Sequence, residues 1–208
     1  MGSRLLSLAR AGSRLGMFND RTTPLTLLAT RRSAKPRDMV APGPDRAQLH
    51  AMLEIAARTP DHGKLVPWRF VTVAADMRDR LAEKLVAAYR AERPEAKRLE
   101  IESIEQFARQ APSLVVVLYA PKTHSHIPLW EQELSAGAVT MNLLHAAHAM
   151  GFTANWLTGW ATYSDAVRDL FGEAPERIAG FVFIGTPGRE LEERPRPDMD
   201  AVVRAWAG

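Results

Sequence analysis

The sequence predicts a single domain that combines helices with strands, and three stretches carry that expectation. Residues Trp130 to Gly151 follow helical rows, Leu114 to Ala120 reads LVVVLYA without a break, and Gly180 to Gly185 reads GFVFIG. An uninterrupted β-branched run of strand length suits a central strand covered on both faces. A chain of 208 residues is long enough to bury its own core.

The long helix is the organising element. Glu131 and Glu133 sit in its first turn, where carboxylates complement the positive end of the helix dipole. Gly151 supplies the left-handed conformation expected just past its end. Leu134, Ala138, Met141 and His145 form one row, and Val139, Leu143, Ala147 and Met150 another, so the helix is expected to be buried on most sides. Ser135, Ala136, Gly137 and Ala138 leave room for a second backbone. The segment FTANWLTG then predicts a short strand ending in a polar, aromatic turn.

The remaining elements follow in order. Met1 to Met17 carries Arg4, Arg10 and Arg14 and no acidic residue, and residues 1–20 are expected to form a flexible extension before a single domain at 21–208. Thr23 caps and Pro24 opens a short helix running to Arg31. Pro36, Pro42 and Pro44 mark a connector, and Asp45 begins a second helix with Leu49, Leu53 and Ala56 on one face. Pro60 and Gly63 force a loop before the alternating strand Trp68 to Ala74. Asp76 is expected to cap the next helix, and the mixed charges of Pro94 to Arg109 predict a helix facing solvent or a partner. Ser164 starts a helix ending at Gly172, and the tail from Leu191 closes with AVVRAWAG, an apolar end suited to docking on a neighbour.

Composition removes several functions. The chain has no cysteine, which excludes disulfides, thiolate catalysis and sulfur-ligated metal centres, and is compatible with the cytoplasm, where we expect the protein to work. Lys and Arg number 27 against 24 Asp and Glu, too small an excess to point to nucleic acid. Asn142 and two histidines interrupt the long helix, so it is not a membrane span. Arg31, Arg32 and Ser33 offer charged forks and a hydroxyl suited to phosphate. The loop after the second helix concentrates Arg58, Asp61, His62 and Lys64, all able to meet a polyanionic or redox ligand. Each of these residues could equally be a solvated or capping group.

Four pieces in fixed order narrow the choice: RRS after the first helix, RTPDHGKLVPWRF ending the second, WEQELSAG opening the long helix with NWLTG behind it, and GFVFIGTP near the end. Together they resemble the FMN-dependent nitroreductase family, in its small, single-domain, homodimeric branch, over roughly Leu25 to Arg189. The resemblance implies an α+β fold, a mixed sheet wrapped by helices, in an intertwined homodimer around the long central helix with FMN at the interface. It implies that Arg31, Arg32 and Ser33 bind the FMN phosphate, ribityl chain and ring edge. Trp156, Leu157 and Thr158 would line the flavin from the same subunit, and Arg58 and His62 would reach it from the partner. Ala146, Ala147, His148, Ala149, Met150 and Gly151 fall where nicotinamide contacts are expected, and Arg189 is a further phosphate candidate. The loop PDHGKLVPW departs from the family pattern, with Leu65 and Val66 where polar groups usually read the flavin ring.

The activity so implied is NADH- or NADPH-driven reduction of nitroaromatics, quinones or related small acceptors by ping-pong hydride transfer. Three alternatives remain open: another flavin reaction such as reductive dehalogenation or flavin cleavage, a non-catalytic flavin-binding protein, and a metal site built from His124, His126, His145 and His148. No carboxylate or cysteine spacing closes that last set. No dinucleotide-binding glycine fingerprint is present to separate NADH from NADPH.

Overall fold

Strand β3 (Ser113–Tyr119) runs through the middle of the molecule, and its alternating side chains divide the core in two. The computed structural model describes residues 18–208. Leu114, Val116 and Leu118 point to one face and Val115 and Val117 to the other, all fully buried, as the unbroken apolar run requires. Burial of each such side chain contributes about 1.5–3 kcal/mol.

β3 pairs with β2 (Trp68–Val73) on one edge and with β5 (Arg177–Pro187) on the other. β5 also pairs with β4 (Thr153–Leu157) and with the two-residue β1 (Met39–Val40). Every pairing among the described residues is antiparallel, so within one chain the α+β fold lacks the parallel component of the expected mixed sheet.

Helices cover both faces. On one, α3 (Arg78–Glu92) and α4 (Arg98–Arg109) bring Leu81, Leu85 and Ala108 against Phe181 and Phe183. Phe107 meets both phenylalanine rings edge-on, at 5.1 and 5.3 Å. On the other face lie α2 (Arg46–Ala56) and the long α5 (Leu129–Ala149), through Met52, Val139, Leu143 and Ala147.

Helix boundaries follow local chemistry. α1 (Pro24–Thr30) begins with the capping box of Thr23 and Thr26, and Asp45 with Gln48 opens α2 the same way. Gly151 adopts φ +94° just beyond α5.

Several expectations are corrected. Asp76 caps nothing: a 3-10 turn at Ala75–Met77 precedes α3, whose start is anchored by buried Arg78 donating to the Ala108 carbonyl at 2.8 Å. Burial lowers that guanidinium to about 10. α4 is amphipathic, turning Ile101, Ile104 and Phe107 inward beneath its charged surface. The Ser164 helix is one turn, α7 (Asp165–Arg168), after the short α6 (Trp160–Tyr163). α5 is buried along one side, while Trp130 and Leu134 are 68% and 54% exposed and Ala138 also faces outward. The first seventeen residues of the expected extension lie outside the described residues. Asn19 and Asp20 belong to the fold, hydrogen-bonded to Thr30 and Arg32.

β5 carries an irregularity opposite Val117 and Leu118 in β3. There the Ala179 carbonyl accepts from the Trp156 indole at 3.0 Å, and the ring lies over Gly180. A Cβ on residue 180 would overlap that indole. Gly180→Ala is therefore expected to cost about 1–3 kcal/mol through overpacking, read as a lowered urea midpoint. An unchanged midpoint would contradict the packing of Trp156.

Candidate functional site: an arginine pocket beside the long helix

The chain leaves α1 in extended form, and every backbone partner of that stretch is a side chain from elsewhere. The Arg32 amide donates to Asn19 Oδ1 at 2.8 Å, and the Ala34 amide donates to Thr153 Oγ1 at 3.1 Å. Asn155 Nδ2 donates to the Ala34 carbonyl at 2.6 Å, and His148 Nε2 lies 3.0 Å from the Arg32 carbonyl. Thr153 and His148 are fully buried. With the backbone of Arg32 and Ala34 held in this way, the side chains of the segment are placed along a pocket.

That pocket has a volume of about 320 Å³ and is lined by Arg31, Arg32, Ser33, Lys35, Trp156 and Arg194. Leu144 and Asn155 complete its wall. Arg31 Nη1 donates to Ser33 Oγ at 3.2 Å. Burial, then the positive charges of Arg196, Arg32 and Arg194, push the Arg31 guanidinium below its ordinary value. Arg32 is held by the tail: its Nε donates to the Glu192 carbonyl at 2.7 Å and lies 3.6 Å from Glu193. Like charges crowded in a concave wall form a site for an anion.

Arg194 was not identified from the sequence. It lies in the charged, proline-rich tail more than 150 residues from Arg32, and no local pattern links the two. Arg189, the phosphate candidate, is exposed and faces Asp38 at 3.5 Å.

The residues expected near a flavin divide into two groups. Arg31, Arg32, Ser33 and Trp156 meet at the pocket, with Leu157 and exposed Thr158 following at the end of β4. Neither Arg58 nor His62 lines the pocket, and His62 is far from it. His62 Nδ1 is 2.8 Å from Glu131 Oε2, in the first turn of α5, whereas the Arg32 carbonyl meets His148 in its last turn. Seventeen residues of helix put these two points about 25 Å apart. One chain does not bring them together.

The nicotinamide expectation is corrected for Ala146, Ala147 and His148, whose side chains are buried in the chain's own core. Ala149 and Gly151 are exposed and Met150 half-buried. The histidines of the metal alternative are likewise divided, with His124 and His126 in the loop before α5 and His145 and His148 near its far end. Among the described residues no group of three or more His, Cys, Asp or Glu side chains could hold a metal. No described helix is long and apolar enough to cross a membrane.

Residues 28–186 match the model of the Nitroreductase family. The chain belongs to the nitroreductase family. A Haemophilus influenzae protein named provisionally as an NAD(P)H nitroreductase is 39% identical over 173 residues, covering 82% of this chain and 91% of that protein. Among solved structures, a nitroreductase-like protein from Bacillus cereus aligns with TM-score 0.76 at 19% identity, over 91% of this chain and 98% of that one. The FMN and NADPH-dependent nitroreductase NfnB of Sphigopyxis sp. strain HMH aligns with TM-score 0.70 at 19% identity, over 89% and 99%. These two likenesses establish that the nitroreductase fold is shared.

The pocket depends on the ties that hold residues 31–34. Thr153→Val preserves shape and removes the acceptor of the Ala34 amide, leaving a buried donor unpaired. It is expected to cost about 1–3 kcal/mol in chemical denaturation. A variant as stable as the parent would show that Ala34 does not depend on Thr153.

Proposed function

We propose that this nitroreductase-family protein is a homodimeric FMN-dependent oxidoreductase of the cytoplasm that uses NADH or NADPH to reduce nitroaromatics, quinones or related small acceptors. The observation that carries the proposal is the convergence of Arg31, Arg32, Ser33, Lys35 and Arg194 on one pocket bordered by Trp156. Several cations, a hydroxyl and an adjoining aromatic wall fit a phosphate monoester attached to a flat ring system. NfnB, whose fold this chain shares, is by name dependent on FMN and NADPH.

The chemistry that FMN supplies when bound is hydride exchange, from NAD(P)H and then to the acceptor, so the two substrates alternate. The protein's own residues bind and orient. Arg31 and Arg32 would donate charge-assisted hydrogen bonds to the phosphate, and Ser33 would add its hydroxyl. Trp156 is pinned by the Ala179 carbonyl and presents its ring from the end of β4, with Leu157 and Thr158 continuing the wall. Exposed Ala149 and Gly151 and half-buried Met150 remain available near a nicotinamide.

The dimer completes the site. Trp130, Leu134 and Ala138 form an apolar row along the outer side of α5, and Leu25, Leu28 and Ile55 are also exposed. Burying that row against a second copy removes it from water and brings the partner's loop toward the arginine pocket. Arg58 and His62 of a second copy then reach a ligand in a pocket that neither lines within one chain. Glu131 accepts from His62 Nδ1, which directs Nε2 away from the carboxylate.

Each charge-assisted bond to the phosphate is worth about 1.5–3 kcal/mol. Arg31→Ala/Arg32→Ala is therefore expected to weaken FMN binding by several orders of magnitude, measured by quenching of flavin fluorescence on titration with protein. Parental affinity in that variant would remove the pocket from the FMN site.

A further inference from the structure

One of the four side chains that hold residues 31–34 is chemically unlike the others. Asn19, Thr153 and Asn155 are neutral groups, each meeting a backbone donor or acceptor of the opposite kind. His148 is fully buried, with Nδ1 2.7 Å from the Leu144 carbonyl and Nε2 3.0 Å from the Arg32 carbonyl. A carbonyl oxygen only accepts, and a neutral imidazole carries a single N–H. Both contacts are hydrogen bonds only when the ring is an imidazolium. In the neutral ring one nitrogen lone pair faces an oxygen lone pair in a buried site, at the cost of an unmade bond.

The surroundings resist that second proton. Burial acts first against it, the two carbonyls favour it, and the positive charges of Arg31 and His145 add to the resistance, leaving the free ring below the ordinary histidine range. Arg31 comes from the segment packed against His148, and His145 lies one turn earlier on α5. From the same segment the Arg32 guanidinium is drawn to the Glu192 carbonyl and Glu193. Arg31 is also a cation that a phosphate in the pocket would meet. Burial is the larger resistance, and an anion there leaves it in place while offsetting the part that comes from the Arg31 charge, so ligand and proton are linked through Arg31.

We propose that His148 is a positioning residue of the anion pocket: it takes up a proton from solvent when a phosphate monoester binds beside Arg31, then donates from both ring nitrogens and fixes the Arg32 carbonyl. The identity of the monoester as FMN rests on the function proposed above, whereas the linkage requires only a bound anion.

The free ring titrates below the ordinary histidine range and the ring in the complex titrates higher. Between those two values binding takes up a proton, and affinity rises as pH falls. The second ionisation of the ligand phosphate, near a pKa of about 6, acts in the opposite sense, so the ring itself is the cleaner reporter.

The test is imidazole nitrogen NMR on protein labelled in its histidines, at about pH 7, with and without FMN, using His148→Met to assign the signal. One protonated nitrogen in the free protein and two in the FMN complex is the expected result. A ring that stays in one neutral tautomer in the complex, or is already doubly protonated without ligand, overturns the linkage. If FMN does not bind, the functional proposal fails separately, and saturating inorganic phosphate becomes the probe for the same two spectra. His148→Met is further expected to bind FMN roughly tenfold more weakly and to lose the part of the pH dependence that the parent shows above the phosphate ionisation. His148→Gln, which keeps one donor, should recover part of the affinity and none of that pH dependence. If His148→Met does not fold, His148→Gln assigns the signal and the parental spectra decide.

Discussion

Holding several positive charges in one small concavity is the constraint on which this structure turns. Arg31, Arg32, Lys35 and Arg194 line one pocket, Arg196 acts on it, and none can be held there by the others. What holds them is a set of bonds to backbone: Asn19, His148, Thr153 and Asn155 fix residues 31–34 from an N-terminal turn, a helix and a strand. The sheet in turn holds β4 in place through β5, and the two-sided core around β3 supports both. A fold built this way stores an anion site at its surface and leaves the ligand to offset the repulsion.

The long helix α5 links this pocket to everything else. Its inner side closes the core with Val139, Leu143 and Ala147. Its last turn carries His148 to the arginine segment, and Asn142 ties it to the end of α2 through the Ile55 carbonyl at 3.1 Å. Its first turn holds His62 through Glu131, and its outer row is left apolar and open. In the function we propose, a second copy covers the row and adds its own loop to the pocket. The tail, with Trp206 93% exposed after the short α8 (Met199–Val202), offers the same partner more apolar surface.

Much of the local structure was legible because its causes are local. Thr23 and Pro24 mark the start of α1, Asp45 that of α2, and Gly151 the end of α5, each through a rule that acts within a few residues. The unbroken apolar run of β3 declared a strand covered on both faces. The Arg-Arg-Ser triplet was visible as a phosphate candidate because its chemistry lies side by side in the chain. Features that depend on distant partners were not legible. Asp76 has the composition of a cap, yet no side chain caps α3, and its first residue Arg78 instead reaches the distant Ala108 carbonyl. The charges of α4 conceal its inward row. Arg194 and Asn19 join the site only through folding, and His148 sits inside the segment where the family resemblance places nicotinamide contacts. Its burial against the Arg32 carbonyl follows from the placement of α5, which no local rule supplies.

The central claim is that one flavin site is shared by two copies of this chain. Sedimentation equilibrium of the purified protein, followed in the visible absorption band of the flavin, tests both halves at once. The account predicts that the colour sediments with the mass of two chains and, once released by heat, is FMN. A colourless protein that takes up no added FMN, or colour that sediments with the mass of a single chain, would contradict it.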